Sequence, residues 1–175
     1  MNILTEIQRS PGVNLNGKTV YRTAVKGVIL RGRILLMVYS PKMDEYDFPG
    51  GGLQGGETHI EGLHREIQEE CGMLVASMGP EMGTVIEYDF PMESGYDVFK
   101  MTSHYYHCEV QDGFVPQKLE DYEQELGLIP VWVDIDQAIQ CNKALLQSGK
   151  APKWLKKEIF VLEYIQQTLL AAPDA

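Results

Sequence analysis

The sequence predicts an α/β fold in which a mixed β-sheet is covered by helices on both faces. Three observations predict it. A chain of 175 residues with 44% hydrophobic side chains can bury one core of ordinary size. Runs rich in β-branched and large apolar residues stand apart from segments whose apolar residues recur at spacings of three and four. The order of these segments, strands then a helix then strands then two helices, matches neither a regular βαβ alternation nor a helical bundle. No internal repeat or low-complexity linker divides the chain, so residues 1–175 read as one domain.

From Val20 to Val38, "VYRTAVKGVILRGRILLMV" reads as two strands joined by a tight turn at "RGR". "YSPKMDEYD" reads as a polar loop, and Pro49 limits any strand at Phe48 to a short or edge piece. Glu57 to Cys71 reads as a helix, since Ile60, Leu63, Ile67 and Cys71 recur at helical spacing, and Gly72 ends it. "GTVIEYDF" and "DVFKMTSHYYHCEV" read as strands, with "PMESGY" as the turn between them. "QDGFVPQKLEDYEQELG" reads as an acidic, irregular loop. A strand "LIPVWV" follows, then a helix from Asp134, as N-cap, to about Leu146. A last helix starts near Pro152, which suits a first turn. Its stripe of Leu155, Ile159, Leu162, Ile165 and Leu169 reads as a cover for the sheet, with a dimer seam as the alternative, so monomer and homodimer both stay open.

Charge and composition exclude several functions. A formal net charge of −10 argues against binding a nucleic acid polymer or an anionic membrane, which needs many Lys and Arg on one face. It does not exclude a small phosphorylated substrate, provided that a metal cation stands between the two sets of negative charge. No window approaches the roughly 18 apolar residues of a membrane span, and "MNILTEIQRSPG" lacks a basic region followed by an apolar run. The lack of such a span and of such a run makes the cytoplasm the expected location, and Cys71, Cys108 and Cys141 form no CxxC pair and read as reduced, partly buried thiols.

The chemistry concentrates in "FPGGGLQGGETHIEGLHREIQEECGM", residues 48–73. Gly50, Gly51, Gly52, Gly55 and Gly56 let the main chain approach the following helix closely. On a wheel of about 100° per residue, Glu66, Glu69 and Glu70 share one flank beside the apolar stripe. Glu66 and Glu70, at i and i+4, repel each other. Arg65 lies one turn from both Glu61 and Glu69 and can pair with either. The remaining carboxylates are hard ligands suited to Mg²⁺ or Mn²⁺. A solvated acidic face is the alternative, and the adjoining glycines weigh against it. "GGGLQG" also satisfies G-x-G-x-x-G, but Glu70 falls inside the helix and not at the end of a second parallel strand, so a dinucleotide site is set aside.

These residues resemble the Nudix hydrolase family. Its signature, G-x5-E-x7-R-E-U-x-E-E-x-G-U with U bulky and apolar, is met at every position from Gly51 through Glu57, Arg65-Glu66-Ile67 and Glu69-Glu70 to Gly72-Met73. The resemblance implies an α/β/α sandwich with a mixed sheet. It implies Mg²⁺- or Mn²⁺-dependent hydrolysis of a nucleoside diphosphate linked to another group, by attack of water on phosphorus. Glu66, Glu69 and Glu70 then look like the metal-binding carboxylates, with the Gly50 carbonyl as a further ligand. Arg65 looks like the residue that orients a box glutamate, while Glu57 supports the junction of loop and helix. The proton acceptor is either a box glutamate or a carboxylate from "KLEDYEQELG", where Glu123 and Glu125 are candidates. Arg22 is a candidate for phosphate, and Tyr46, Tyr88 and Phe90 for stacking on a base. The four histidines show no metal-ligand spacing.

Two other readings use the same fold. A sensing domain that binds a nucleotide derivative, ADP-ribose-like, without turning it over would tolerate loss of box carboxylates, and none is lost here. An isoprenoid diphosphate isomerase would need an added Cys/His metal cluster, which is not seen. ADP-ribose, damaged nucleoside triphosphates, dinucleoside polyphosphates and nucleotide sugars all present the same diphosphate, so the box does not choose between them.

Overall fold

The computed structural model describes residues 2–168. In chain order the elements are β1 (Ile3–Gln8), β2 (Thr19–Val28), β3 (Leu30–Arg31), β4 (Ile34–Ser40), β5 (Glu45–Asp47), α1 (His59–Cys71), β6 (Val75–Asp89), β7 (Val98–Val110), α2 (Asp121–Leu126), β8 (Ile129–Asp134), α3 (Ile135–Gln147) and α4 (Leu155–Thr168). One sheet has the order β1-β6-β7-β2, with β6 and β7 antiparallel and the two outer pairs parallel. A second, antiparallel sheet has β4 at its centre, flanked by β3, β5 and β8. The mixed sheet expected from the element order is present.

Strand alternation sends side chains to two cores. Val28, Leu35, Met37, Tyr105 and Val133 pack with Ile135, Ile139, Leu162 and Ile165 of α3 and α4. Val25, Ile29, Leu36, Val38 and Tyr106 pack with Leu63, Ile67 and Cys71 of α1. Successive residues such as Leu36 and Met37 join different cores because neighbouring strand side chains point to opposite faces. Helices therefore cover both sides of the sheet layer. On α4 the described part of the stripe, Leu155, Ile159, Leu162 and Ile165, is buried in this way, so it is a cover; Leu169 lies outside the described residues.

Several boundaries differ from expectation, each for a local reason. Helix α1 begins at His59 because Thr58 caps it: its Oγ1 accepts from Glu61 N–H, and Glu61 reaches back to Thr58 N–H. Ile60 is 53% exposed and leaves the apolar stripe. Gly72 closes the helix at φ 62°, as expected. Strand β6 begins at Val75, ahead of the expected strand, its register shifting around Gly79 and Pro80. Strand β1 went unread because it is half-exposed and pairs with β6, far away in sequence. The "polar loop" contains β5, and the "irregular" acidic segment contains α2. Helix α4 starts at Leu155, after a turn in which Leu155 N–H donates to Pro152 O. No described helix is long and apolar enough to cross a membrane.

Candidate functional site

The site forms where the loop after β5 fastens to the free edge of β2. Gly27 N–H donates to Pro49 O at 2.8 Å, Val25 N–H to Gly51 O at 3.0 Å, and Leu53 N–H to Thr23 O at 2.9 Å. These bonds blunt an exposed strand edge and hold the loop against the sheet. The approach is close enough to exclude side chains. A Cβ on Gly50, whose φ is +128°, would lie 2.1 Å from Val25 O. A Cβ on Gly51 would lie 2.8 Å from both carboxylate oxygens of Glu66. The glycines thus bring backbone and carboxylate together, as the sequence suggested.

Helix α1 supplies the charges. Its inner flank carries Glu66 and Glu70, 8% and 7% exposed, while Glu69 is half-buried. Gly50 N–H donates to Glu70 Oε2 at 2.6 Å. Burial pushes the Glu70 carboxyl well above the usual range, against the pull of Lys26 and of this N–H. Burial likewise raises Glu66, with Arg65 opposing it. Arg65 is the hub. Its Nε and Nη2 each bond Glu57 at 2.8 Å, and its Nη1 reaches Glu66 at 2.7 Å and Glu69 at 3.1 Å. Its Nη2 also donates to Gly52 O at 3.1 Å. Of the two partners expected from spacing it takes Glu69; Glu61 is held in the helix cap. Glu57 ties loop to helix, accepting from Gln54 N–H at 2.9 Å as well as from Arg65, and these bonds lower its pKa to about 2.

Could these residues hold a divalent cation? Among the described residues no three His, Cys, Asp or Glu side chains converge as a ready-made ligand set. Glu66 and Glu69 meet at Arg65 instead. That arrangement still fits Mg²⁺ or Mn²⁺, because such an ion is held by one or two carboxylates completed by water and substrate phosphate, without a closed protein cage. The donors are hard oxygens, and two are desolvated carboxyls whose raised pKa a cation would reverse. The carbonyls of Pro49, Gly51 and Gly52 are engaged, whereas that of Gly50 accepts no hydrogen bond from the described residues.

Beside Gly50 and Glu70 opens a cleft of about 290 Å³. Sequence reading missed most of its wall. Lys26, 6% exposed, donates to Asp47 Oδ1 at 3.0 Å and Phe48 O at 2.9 Å. Arg9 clasps Glu87 through two bonds of 2.8 and 2.7 Å, and Lys157 lies 3.4 Å from the same carboxylate. Glu45, Ser103 and Trp154 also line it. Burial, then repulsion from Asp47, pushes the Glu45 carboxyl up to about 7. A lysine inside the apolar run "AVKGVIL" was the one available signal, since lysine is almost never buried without a partner.

The remaining candidates stand apart from the cleft. Glu123 is buried, but its carboxylate accepts from Glu120 N–H at 2.7 Å and Tyr122 O–H at 3.1 Å, so it caps α2. Glu125 is exposed; of this helix Tyr122 and Leu126 face the cleft. Arg22 is exposed and pairs with Glu93 at 3.2 Å. The Tyr46 ring packs 4.8 Å from that of Tyr39, Tyr88 O–H donates to Glu6, and Phe90 is 54% exposed. None of these four lines the cleft. All three cysteines are free.

Comparison with known proteins places this geometry in context. The family model of the NUDIX domain matches residues 20–155. An RNA pyrophosphohydrolase of Helicobacter pylori (strain G27) is 44% identical over 46 residues, which are 26% of this chain and 30% of that protein. Nudix hydrolase 25 of Arabidopsis thaliana is 29% identical over 84 residues, 47% of this chain and 48% of that protein. The chain therefore spans about half or less of the length of the curated relatives it matches. The solution structure of the E. coli ORF135 protein superposes with a TM-score of 0.54 at 18% identity, covering 87% of this chain and 95% of that one. A NUDIX hydrolase from Nitrosomonas europaea gives 0.51 at 22% identity, covering 75% and 91%. At these identities the likeness is one of fold.

Proposed function

We propose that this chain, which belongs to the Nudix hydrolase family, is a metal-dependent pyrophosphohydrolase that cleaves a nucleoside diphosphate linked to another group by attack of water on phosphorus. The observation that carries the reading is the pair of buried carboxyls, Glu66 and Glu70, pressed against a glycine loop at the mouth of a cleft. Arg65 partly offsets the charge of Glu66, and Lys26 with Gly50 N–H that of Glu70, yet burial still raises both carboxyls, a cost that a cation bound on this flank would relieve.

Each residue then has a task. Glu66, Glu69 and Glu70, with the Gly50 carbonyl, are the groups that would hold Mg²⁺ or Mn²⁺. A divalent cation bound there would neutralise diphosphate charge, lower the pKa of a coordinated water and stabilise the leaving phosphate. Arg65 spaces Glu66 from Glu69 and anchors both to Glu57. Gly50 N–H fixes the direction of Glu70. Lys26 moderates the buried negative charge behind them. The proton acceptor is a box glutamate, since Glu123 is committed to its helix cap and Glu125 points to solvent.

The −10 charge favours a small nucleotide derivative over a polymer. The curated relatives include proteins named RNA pyrophosphohydrolase, so a 5′-triphosphorylated oligonucleotide belongs among the substrates tested. A cytoplasmic setting agrees with the three free thiols. The test is phosphate release, with Mg²⁺ and then with EDTA, across nucleoside triphosphates, oxidised nucleotides, ADP-ribose, nucleotide sugars, dinucleoside polyphosphates and that oligonucleotide. Metal-dependent release from one class supports the reading. Silence across the set, with nucleotide binding retained, would replace it with the sensing domain.

A further inference from the structure

Two histidines meet where the start of α1 rests on the sheet, and neither lines the cleft. His59, the first residue of the helix, lies against His104 of β7 with ring centroids 4.4 Å apart and planes inclined by 53°. Each ring is also held from outside the pair. The Nδ1 of His59 is 2.6 Å from the hydroxyl of Tyr106, another β7 residue, and the Nδ1 of His104 is 2.8 Å from Glu81 Oε1 on β6. That oxygen further accepts from Thr84 Oγ1 at 2.6 Å. Tyr106, His59, His104 and Glu81 thus form one chain of polar contacts that ties the helix to both central strands of the sheet.

One carboxylate faces two imidazoles. The other acids near His59 are engaged elsewhere, Glu57 by Arg65 and Glu61 by the Thr58 cap. The flanking strands add no charge here, since β2 sets Val25 opposite His104 and β1 sets Ile3 opposite Thr84. A second proton on the pair therefore has no carboxylate of its own among the described residues. The helix N-terminus adds partial positive charge beside His59. Burial, then the neighbouring His104, holds the His59 imidazole below its ordinary 6.5. Against burial, the bonds from Thr84 and His104 hold the Glu81 carboxyl below its ordinary range, so the single counter-charge persists in mild acid. Burial raises the Tyr106 hydroxyl, which keeps its proton. The Nδ1 of a neutral His59 can accept that proton in a hydrogen bond, whereas the Nδ1 of an imidazolium can only donate.

We propose that His59 and His104 form a proton-sensitive clasp, closed at neutral pH and opened in mild acid, that sets how firmly the start of α1 is held to the sheet. A proton on His59 reverses its bond with Tyr106 and, once His104 is charged too, sets two cations face to face. A histidine held below its unfolded value stabilises the fold fully above pH 6.5 and loses that contribution as pH falls. The glycine loop enters α1 through this turn, so an open clasp loosens the Glu57–Arg65 tie from its far end. The clasp stands whether or not the chain turns over a substrate.

The experiment follows the ring C–H signals of the histidines by NMR from pH 8 to pH 5, in full-length wild type and His104→Gln. Thermal melts of wild type and His59→Gln are recorded over the same range. Contact of its ring protons with Tyr106 identifies His59. In wild type His59 is expected to titrate below 6.5, and in His104→Gln its midpoint should move up. Between pH 7 and pH 5 wild type should lose about 2–4 °C more in melting temperature than His59→Gln, the scale of one weak interaction in a chain of this length. The carboxyls that titrate in this range are common to both proteins, so the difference isolates the clasp. A His59 midpoint at 6.5 or above, a midpoint that His104→Gln leaves in place, or parallel melting curves would overturn the clasp. Should either variant fail to fold, the wild-type titration and the other variant decide.

Discussion

The main-chain N–H of Gly50 donates to Glu70 Oε2 over 2.6 Å, joining a loop on the edge of β2 to the C-terminal half of α1. Twenty residues separate the partners, and the bond exists only because the glycine backbone comes where no side chain could fit. The Gly50 carbonyl accepts no hydrogen bond from the described residues, as the proposed cation site requires.

Substituting the two glycines should separate stability from activity. Gly50→Ala sets a Cβ 2.1 Å from a backbone carbonyl at φ +128°, and neither can yield. A loss of about 2–4 kcal/mol is expected. Gly51→Ala meets the end of the Glu66 side chain, which can move aside. Its melting temperature should fall less, while turnover falls more than stability explains. A Gly50→Ala variant that melts like wild type would contradict the geometry.

Arg65→Lys should keep the fold and lose activity. A lysine has one compact head and cannot hold Glu57 through two parallel bonds while reaching Glu66 and Glu69. Loosening the groups that orient metal ligands typically costs about 10–100-fold, and the drop should appear in kcat/KM and in the Mg²⁺ concentration required. Wild-type kinetics in Arg65→Lys would reduce the arginine to a surface contact.

Acid should expose the Glu57 tie. Its folded pKa is about 2, below the ordinary 4.5, so the pairing stabilises fully above pH 4.5 and is lost as pH falls from there toward 2. Glu66 and Glu70, with raised pKa values, act in the opposite sense on acidification. Comparing wild type with Glu57→Gln isolates the tie: the variant should melt lower at pH 7, and the difference should shrink as pH drops below 4.5. Parallel curves from pH 7 to 3 would show that Glu57 contributes nothing through its charge.

What could be read from the sequence was what the sequence keeps local. The box, its helix and the αL glycine at its end lie within residues 51–73, where spacing alone puts three carboxylates on one flank. The cleft was not legible, because Lys26, Glu45, Ser103 and Lys157 come from four elements, and Arg9 from the loop after β1, that only long-range strand pairing and the packing of α4 bring together. The local bonding of Glu123 has a sequence signal of its own. "EDYE" is a capping pattern, glutamate three residues past the helix start, and its carboxylate was already spent on a local bond.

The most direct measurement compares metal-dependent phosphate release by wild type, Glu69→Gln and Glu70→Gln on the best substrate found. Glutamine keeps the shape and the acceptor for Gly50 N–H but removes the charge, so both variants should melt near wild type and lose turnover by about a hundredfold or more. Near-normal release in both, or wild-type release that persists in EDTA, would contradict a site built on these carboxylates.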